Sequence, residues 1–183
     1  NEHIVIPESL LKEGFNQVYI EFNAGTNPLN VNEEYLYTLL VPDRARELFP
    51  CFDQPDMKAS YNLILVLDAQ WEAVSNSPVV KTEVLDGGYK RVSFAATEPL
   101  STYLFAFAAG NFSKSLHSDG EREITILHRE TSEENLSQMG EIADQVFSAL
   151  SWLEEYTAIV YPFAKYDLVI IPGFQFGGME HTG

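Results

Sequence analysis

The chain has 183 residues, enough for one domain, or for one domain and part of another. At 45% hydrophobic and 21% charged residues it has the composition of a folding protein, which excludes intrinsic disorder as its main state. Its 11 Lys and Arg stand against 27 Asp and Glu, and the net charge of -16 has the wrong sign for nucleic acid or an anionic membrane surface.

In chain order, Gln17 to Phe22 alternates, with Val18, Ile20 and Phe22 opposite Gln17, Tyr19 and Glu21, which predicts a half-buried strand. Asn23 to Asn32 carries Gly25, Asn27, Pro28 and Asn30 and is expected to be a loop. Tyr35 to Val41 and Tyr61 to Leu67 follow as strands rich in aromatic and branched residues, and Trp71 to Ser75 leads into a turn at Asn76, Ser77 and Pro78. Val79 to Leu85 and Tyr89 to Ala95 flank Asp86-Gly87-Gly88, the signature of an antiparallel hairpin. Tyr103 to Ala108 and Glu123 to Leu127 complete the series, the pattern of a β-sandwich or its kin. The period then changes. Leu136, Met139, Ile142, Ala143, Val146, Phe147, Leu150 and Leu153 stack on one side of a helix predicted from about Ser132 to Val160. Thr131 with Glu134 reads as its capping box, Pro162 as its end, and Tyr166 to Ile171 as a buried strand beyond it. A β-rich unit over about 1–120 and a helix-and-strand unit over 121–183 are the expectation.

No stretch approaches the roughly 20 apolar residues of a membrane span. The chain opens at Asn1 with no basic segment followed by an apolar one, so no signal peptide is visible, and the protein reads as soluble, cytoplasmic or exported. The single cysteine, Cys51, excludes an internal disulfide and a cysteine-based zinc cluster, and no His-Glu-x-x-His helix is present. Cys51 lies in the apolar run Arg46 to Ala59, where a packing role is expected. In the same run Asp53 is expected to satisfy backbone or Arg groups of a rigid loop in which Phe49 and Phe52 are partly buried.

The closing stretch carries the chemistry. At Gly177 and Gly178 backbone amides can approach a ligand, and Glu180 adds a carboxylate that can take an ammonium. The same residues also suit an ordinary turn with a solvated acid. His181 beside Glu180 is a poor chelating pair, because neighbours on an extended segment point to opposite faces.

Three ordered blocks, FPCFDQPDMKA (Phe49 to Ala59), TEPLSTYLFAFAAGNF (Thr97 to Phe112) and YPFAKYDLVIIPGFQFGGMEH (Tyr161 to His181), resemble the aminopeptidase N family of zinc metallopeptidases. The resemblance implies a mainly β fold: an antiparallel β-sandwich, the later part of a saddle-like domain, over 1–115, then the start of a thermolysin-like α+β unit with one long helix over 116–183. Gly177 to His181 is similar to the family's Gly-x-Met-Glu-Asn exopeptidase motif. That match implies Glu180 as the anchor of a substrate's free α-amine, Gly177 and Gly178 as contacts to its carbonyl, and Met179 as a wall of the first side-chain pocket. His181 stands where Asn is usual, and Leu39 and Val41 stand where many members carry a Gln and a Glu. The family's zinc ligands find no match, so zinc is expected in the parent enzyme and none on this piece, which is expected to be inactive alone. The implied partners are peptides with a free N-terminus, and self-association through an apolar face. A non-catalytic scaffold of the same fold is the competing expectation, and a free-standing ligand-binding sandwich ranks below both.

Overall fold

A computed structural model describes residues 3–183. The fold is mainly β, with one long helix towards its C-terminal end. Four strands form an antiparallel sheet: β1 (Leu29–Val31), β2 (Tyr35–Thr38), β7 (Phe107–Gly110) and β4 (Glu72–Ser75), in the order β1-β2-β7-β4. A second antiparallel sheet runs β3 (Ile64–Asp68), β6 (Tyr89–Phe94), β5 (Val79–Val84). Leu67, Val92 and Phe94 of this sheet pack with Ala73 and Ala109 of the first, so the two sheets share one core. The predicted hairpin is present as β5 and β6, and Gly87 and Gly88 supply the positive φ angles of 77° and 85° at its turn.

The third sheet holds β8 (Ser113–Ser118), β9 (Glu123–His128) and β10 (Tyr166–Val169). β8 and β9 are antiparallel, whereas β10 lies parallel to β9. A parallel neighbour requires a crossover. The helix α3 (Met139–Thr157) provides it, burying Met139, Ala143 and Phe147 against Ile124 and Ile126 of β9. Val74, Ala108, Phe112 and Leu127 then join this unit to the four-stranded sheet.

The structure departs from expectation at several elements. Residues 17–22 form no strand, and Val18, Ile20 and Phe22 are exposed, because no strand among the described residues pairs with them. The expected loop 23–32 contains β1, folded back on β2 by Asn32, whose side-chain oxygen accepts from the amides of Glu34 and Tyr35 at 2.9 Å each. Strand 103–108 is a 3-10 turn over Thr102–Leu104 followed by β7. The strand β8 has no sequence signal, since only Leu116 is apolar in Ser113–Ser118 and the strand lies at a wet sheet edge.

The predicted single helix is two segments, α2 (Glu133–Ser137) and α3, divided at Gln138. Ser132, not Thr131, caps it, accepting from the Asn135 amide at 3.2 Å. It ends at Ala158 with φ 56°, ahead of Pro162. Glu154 then accepts from the Tyr161 amide at 2.7 Å and pairs with Arg122, tying the exit of the helix to the β8–β9 turn. No helix among the described residues is long and apolar enough to cross a membrane.

Candidate functional site

The closing motif is positioned from three sides. After β10 the chain turns at Pro172-Gly173, where φ is 69° and the Tyr35 hydroxyl donates to the Pro172 carbonyl at 3.3 Å. Phe174 then packs on Tyr37 of β2 with ring centroids 5.6 Å apart, and on Phe176 at 6.3 Å. Burial pushes the Tyr37 hydroxyl up, as does Tyr35, against a side-chain hydrogen bond with Gln175. The aromatic run 174–176 is thereby laid against the four-stranded sheet.

Gly177, Gly178, Met179, Glu180 and His181 follow, and all five line one cavity of about 460 Å³. The opposite wall is Tyr37 and Thr38 of β2, Val74 to Asn76 at the end of β4, and the start of β7. Gly177 and Gly178 are exposed, nothing lies within 4 Å of where their side chains would begin, and their amides find no acceptor among the described residues. Met179 is half-buried. Glu180 is exposed and its carboxylate makes no hydrogen bond or ion pair among the described residues. Two amides and a carboxylate without partners, side by side at an apolar cavity, can receive a ligand that carries an acceptor and a cation.

The end of the chain is anchored. Asn76 donates to the Thr182 carbonyl at 2.8 Å, and Lys165 donates to the Gly183 carbonyl at 2.8 Å. Lys165 also pairs with Asp167 at 2.8 Å, and both side chains are 15% exposed. Burial lowers the Lys165 amine, while Asp167 opposes that shift. Leu39 is buried after β2 and Val41 half-buried, and neither lines the cavity; the neighbouring Tyr37 and Thr38 do. Sequence reasoning passed over Tyr37, Asn76 and Lys165. Asn76 had a signal only as the turn residue before Pro78, and Lys165 none.

His181 is half-buried, with its Nδ1 enclosed and without a hydrogen-bond partner. Burial holds its pKa below the ordinary 6.5, against the Leu104 backbone and the Glu180 charge. The folded chain therefore binds fewer protons at this site than the unfolded chain, so stability present above pH 6.5 is lost as pH falls towards the lowered folded value. The urea midpoint of wild type relative to His181→Asn should fall on going from pH 7.5 to pH 5. Parallel pH profiles for the two proteins would contradict this.

The Phe49 to Ala59 run is structural, as expected. Phe49 packs edge-on against Tyr61 and Phe105, with centroids 6.0 and 5.5 Å away. Cys51 borders the same core, and burial, then Asp53, pushes its thiol up to about 11, far from the thiolate a nucleophile needs. Asp53 accepts from the Thr102 hydroxyl at 2.6 Å and the Arg46 amide at 3.0 Å. Phe52, expected to be partly buried, is 75% exposed.

A mainly β body with one long helix towards its C-terminal end matches the fold class implied by the three sequence blocks. The Peptidase M1 N-terminal domain family matches residues 12–104, more than half of the chain. The chain is 36% identical to the glutamyl aminopeptidase of Rattus norvegicus over 143 residues, 78% of this chain and 15% of that protein. It is 36% identical to the Homo sapiens glutamyl aminopeptidase over 144 residues, with 78% and 15% covered. Endoplasmic reticulum aminopeptidase 1 of Rattus norvegicus is 35% identical over 146 residues, 80% of this chain and 16% of that protein. The chain belongs to the peptidase M1 family. It spans about 15% of the length of these relatives.

Proposed function

We propose that the protein carrying this chain is a zinc-dependent aminopeptidase that releases single residues from peptide N-termini, and that this chain supplies the part that recognises the free end. The observation that carries the reading is the Glu180 carboxylate, which makes no hydrogen bond or ion pair among the described residues, beside the open amides of Gly177 and Gly178 at the 460 Å³ cavity. Glu180 takes the α-ammonium in a charge-assisted hydrogen bond, and the glycine amides hold the carbonyl oxygen of the first residue. Met179, Tyr37 and Phe176 then face the first side chain. Counting in from the ammonium, this places one peptide bond for attack and excludes internal bonds.

The zinc implied by the family resemblance has no donor set here: among the described residues no three His, Cys, Asp or Glu side chains come together to hold a metal. We place the metal outside this chain. On the same reading residues 1–115 belong to the N-terminal β-domain and 116–183 open the catalytic domain. The chain alone is inactive, and it self-associates through the exposed apolar residues at the end of α3 and just beyond it, among them Trp152, Tyr156 and Val160.

The test is hydrolysis of aminoacyl chromogenic substrates by the whole protein. Release from free-amine substrates, abolished by a chelator and absent for N-acetylated twins, is expected. A metal-loaded protein that cleaves neither would favour the non-catalytic scaffold instead.

A further inference from the structure

The residues that hold the motif in place come from the β-domain side of the cavity. Asn76, at the end of β4, is 7% exposed. Its amide nitrogen donates to the Thr182 carbonyl at 2.8 Å and to the Leu104 carbonyl at 2.9 Å, with the Thr182 hydroxyl a further acceptor at 3.2 Å. Its amide oxygen accepts from the Ala106 backbone at 2.7 Å. Both N-H groups and the carbonyl of this side chain are thus used, and no shorter or charged residue reproduces the set.

Contact continues through the backbone. A side-chain carbon on Gly183 would lie 2.1 Å from the Asn76 carbonyl oxygen, and φ at Gly183 is +89°, so only glycine lets the two backbones approach this closely. From the other side, Lys165 grips the Gly183 carbonyl. Thr182 and Gly183 are therefore clamped on one side of the motif, as the aromatic run 174–176 is on the other, and among the described residues the backbones of Gly177, Gly178 and Glu180 between them make no hydrogen bond. Thr182 is two residues from Glu180 and Phe176 four, so the carboxylate takes its position chiefly from the Thr182–Gly183 end.

We propose that Asn76 is a positioning residue for Glu180, fixing the distance of the carboxylate from the cavity wall and so the affinity of the site for an α-ammonium; this rests on the function proposed above. Asn76 reaches no reacting atom and acts only through Thr182 and Gly183.

The test uses the whole protein with Asn76→Ala, Gly183→Ala, Thr97→Val and Glu180→Gln. Gly183→Ala leaves the Asn76 side chain intact but wedges the backbones apart, and carries the test alone should Asn76→Ala not fold. Thr97→Val is the control, a buried residue outside the cavity lining whose hydroxyl accepts from the Tyr61 amide at 3.0 Å. Two readouts are taken: the rate of limited proteolysis within 177–183, and affinity for an amino-acid hydroxamate against its desamino analogue. Freeing the clamped end should speed proteolysis roughly tenfold or more and weaken the amine-bearing ligand by about tenfold in both clamp variants, with the desamino ligand changed less than about twofold. Thr97→Val should leave both readouts at wild type. Unchanged proteolysis in the clamp variants overturns the proposal whatever the affinities. Faster proteolysis with the amine preference kept, while Glu180→Gln loses it, also overturns it, because the loop is then held but not positioned. If Glu180→Gln keeps the amine preference, the reading of Glu180 itself falls and the proposal with it.

Discussion

Glu180→Gln in the whole protein is expected to lower kcat/KM on free-amine peptides by about 30-fold or more. The substitution keeps size and shape and removes only the charge. Removing one side of a dehydrated, hydrogen-bonded charge pair costs about 2–5 kcal/mol, and about 1.4 kcal/mol is a factor of ten in rate. The site makes the result easy to interpret, because Glu180 is exposed and holds no hydrogen bond or ion pair among the described residues. No fold contact is lost, so thermal stability should stay within about 0.5 kcal/mol of wild type. A large loss of stability alongside the loss of rate would move Glu180 from recognition to structure.

Asp53→Ala should have the largest effect on stability. The Asp53 side chain is 4% exposed and lies 4.0 Å from the Arg46 guanidinium. Its two carboxylate oxygens accept separately, one from Thr102 at 2.6 Å and one from the Arg46 amide at 3.0 Å. Hydrogen bonds to a charged acceptor contribute about 1.5–3 kcal/mol each, and both donors would be left behind in a largely enclosed loop. A loss of about 3 kcal/mol or more follows, which for a chain of this size lowers Tm by about 6–12 °C. Thr102→Val, which removes one of the two bonds, should cost roughly half as much. Equal Tm values for wild type and Asp53→Ala would contradict the account of this loop. The damage should reach the site as well, since Thr102 opens the turn that delivers Leu104 and Ala106 to Asn76.

The parts of the fold legible in the sequence are those whose local chemistry and tertiary setting agree. Asp86-Gly87-Gly88 announces its hairpin because the turn needs positive φ and glycine supplies it. The stripe from Met139 to Leu150 announces α3 because one face alone is buried, against β9. Asp53 could be assigned its role because a lone carboxylate between prolines and Arg46 has few other ways to be satisfied. Elements decided by partners stay hidden. Residues 17–22 have the alternation of a strand and no neighbour to pair with among the described residues, whereas β8 has a neighbour and no alternation. At the site, Gly177 to His181 could be picked out because glycine and carboxylate side by side carry a chemical meaning. Asn76 could not, because its partners Leu104, Ala106 and Thr182 lie 28, 30 and 106 residues away. Cross-chain anchoring of this kind belongs to the packing of three sheets and leaves no local mark.

The central claim is that Glu180 receives the substrate's free amine, and the coupling between the two decides it. The measurement is kcat/KM for wild type and Glu180→Gln on a peptide with a free N-terminus and on its desamino twin. The predicted result is a loss of about 30-fold or more on the free amine and less than about twofold on the desamino peptide, because in the second case the partner of the deleted charge is already gone. Equal losses on both substrates would contradict the claim.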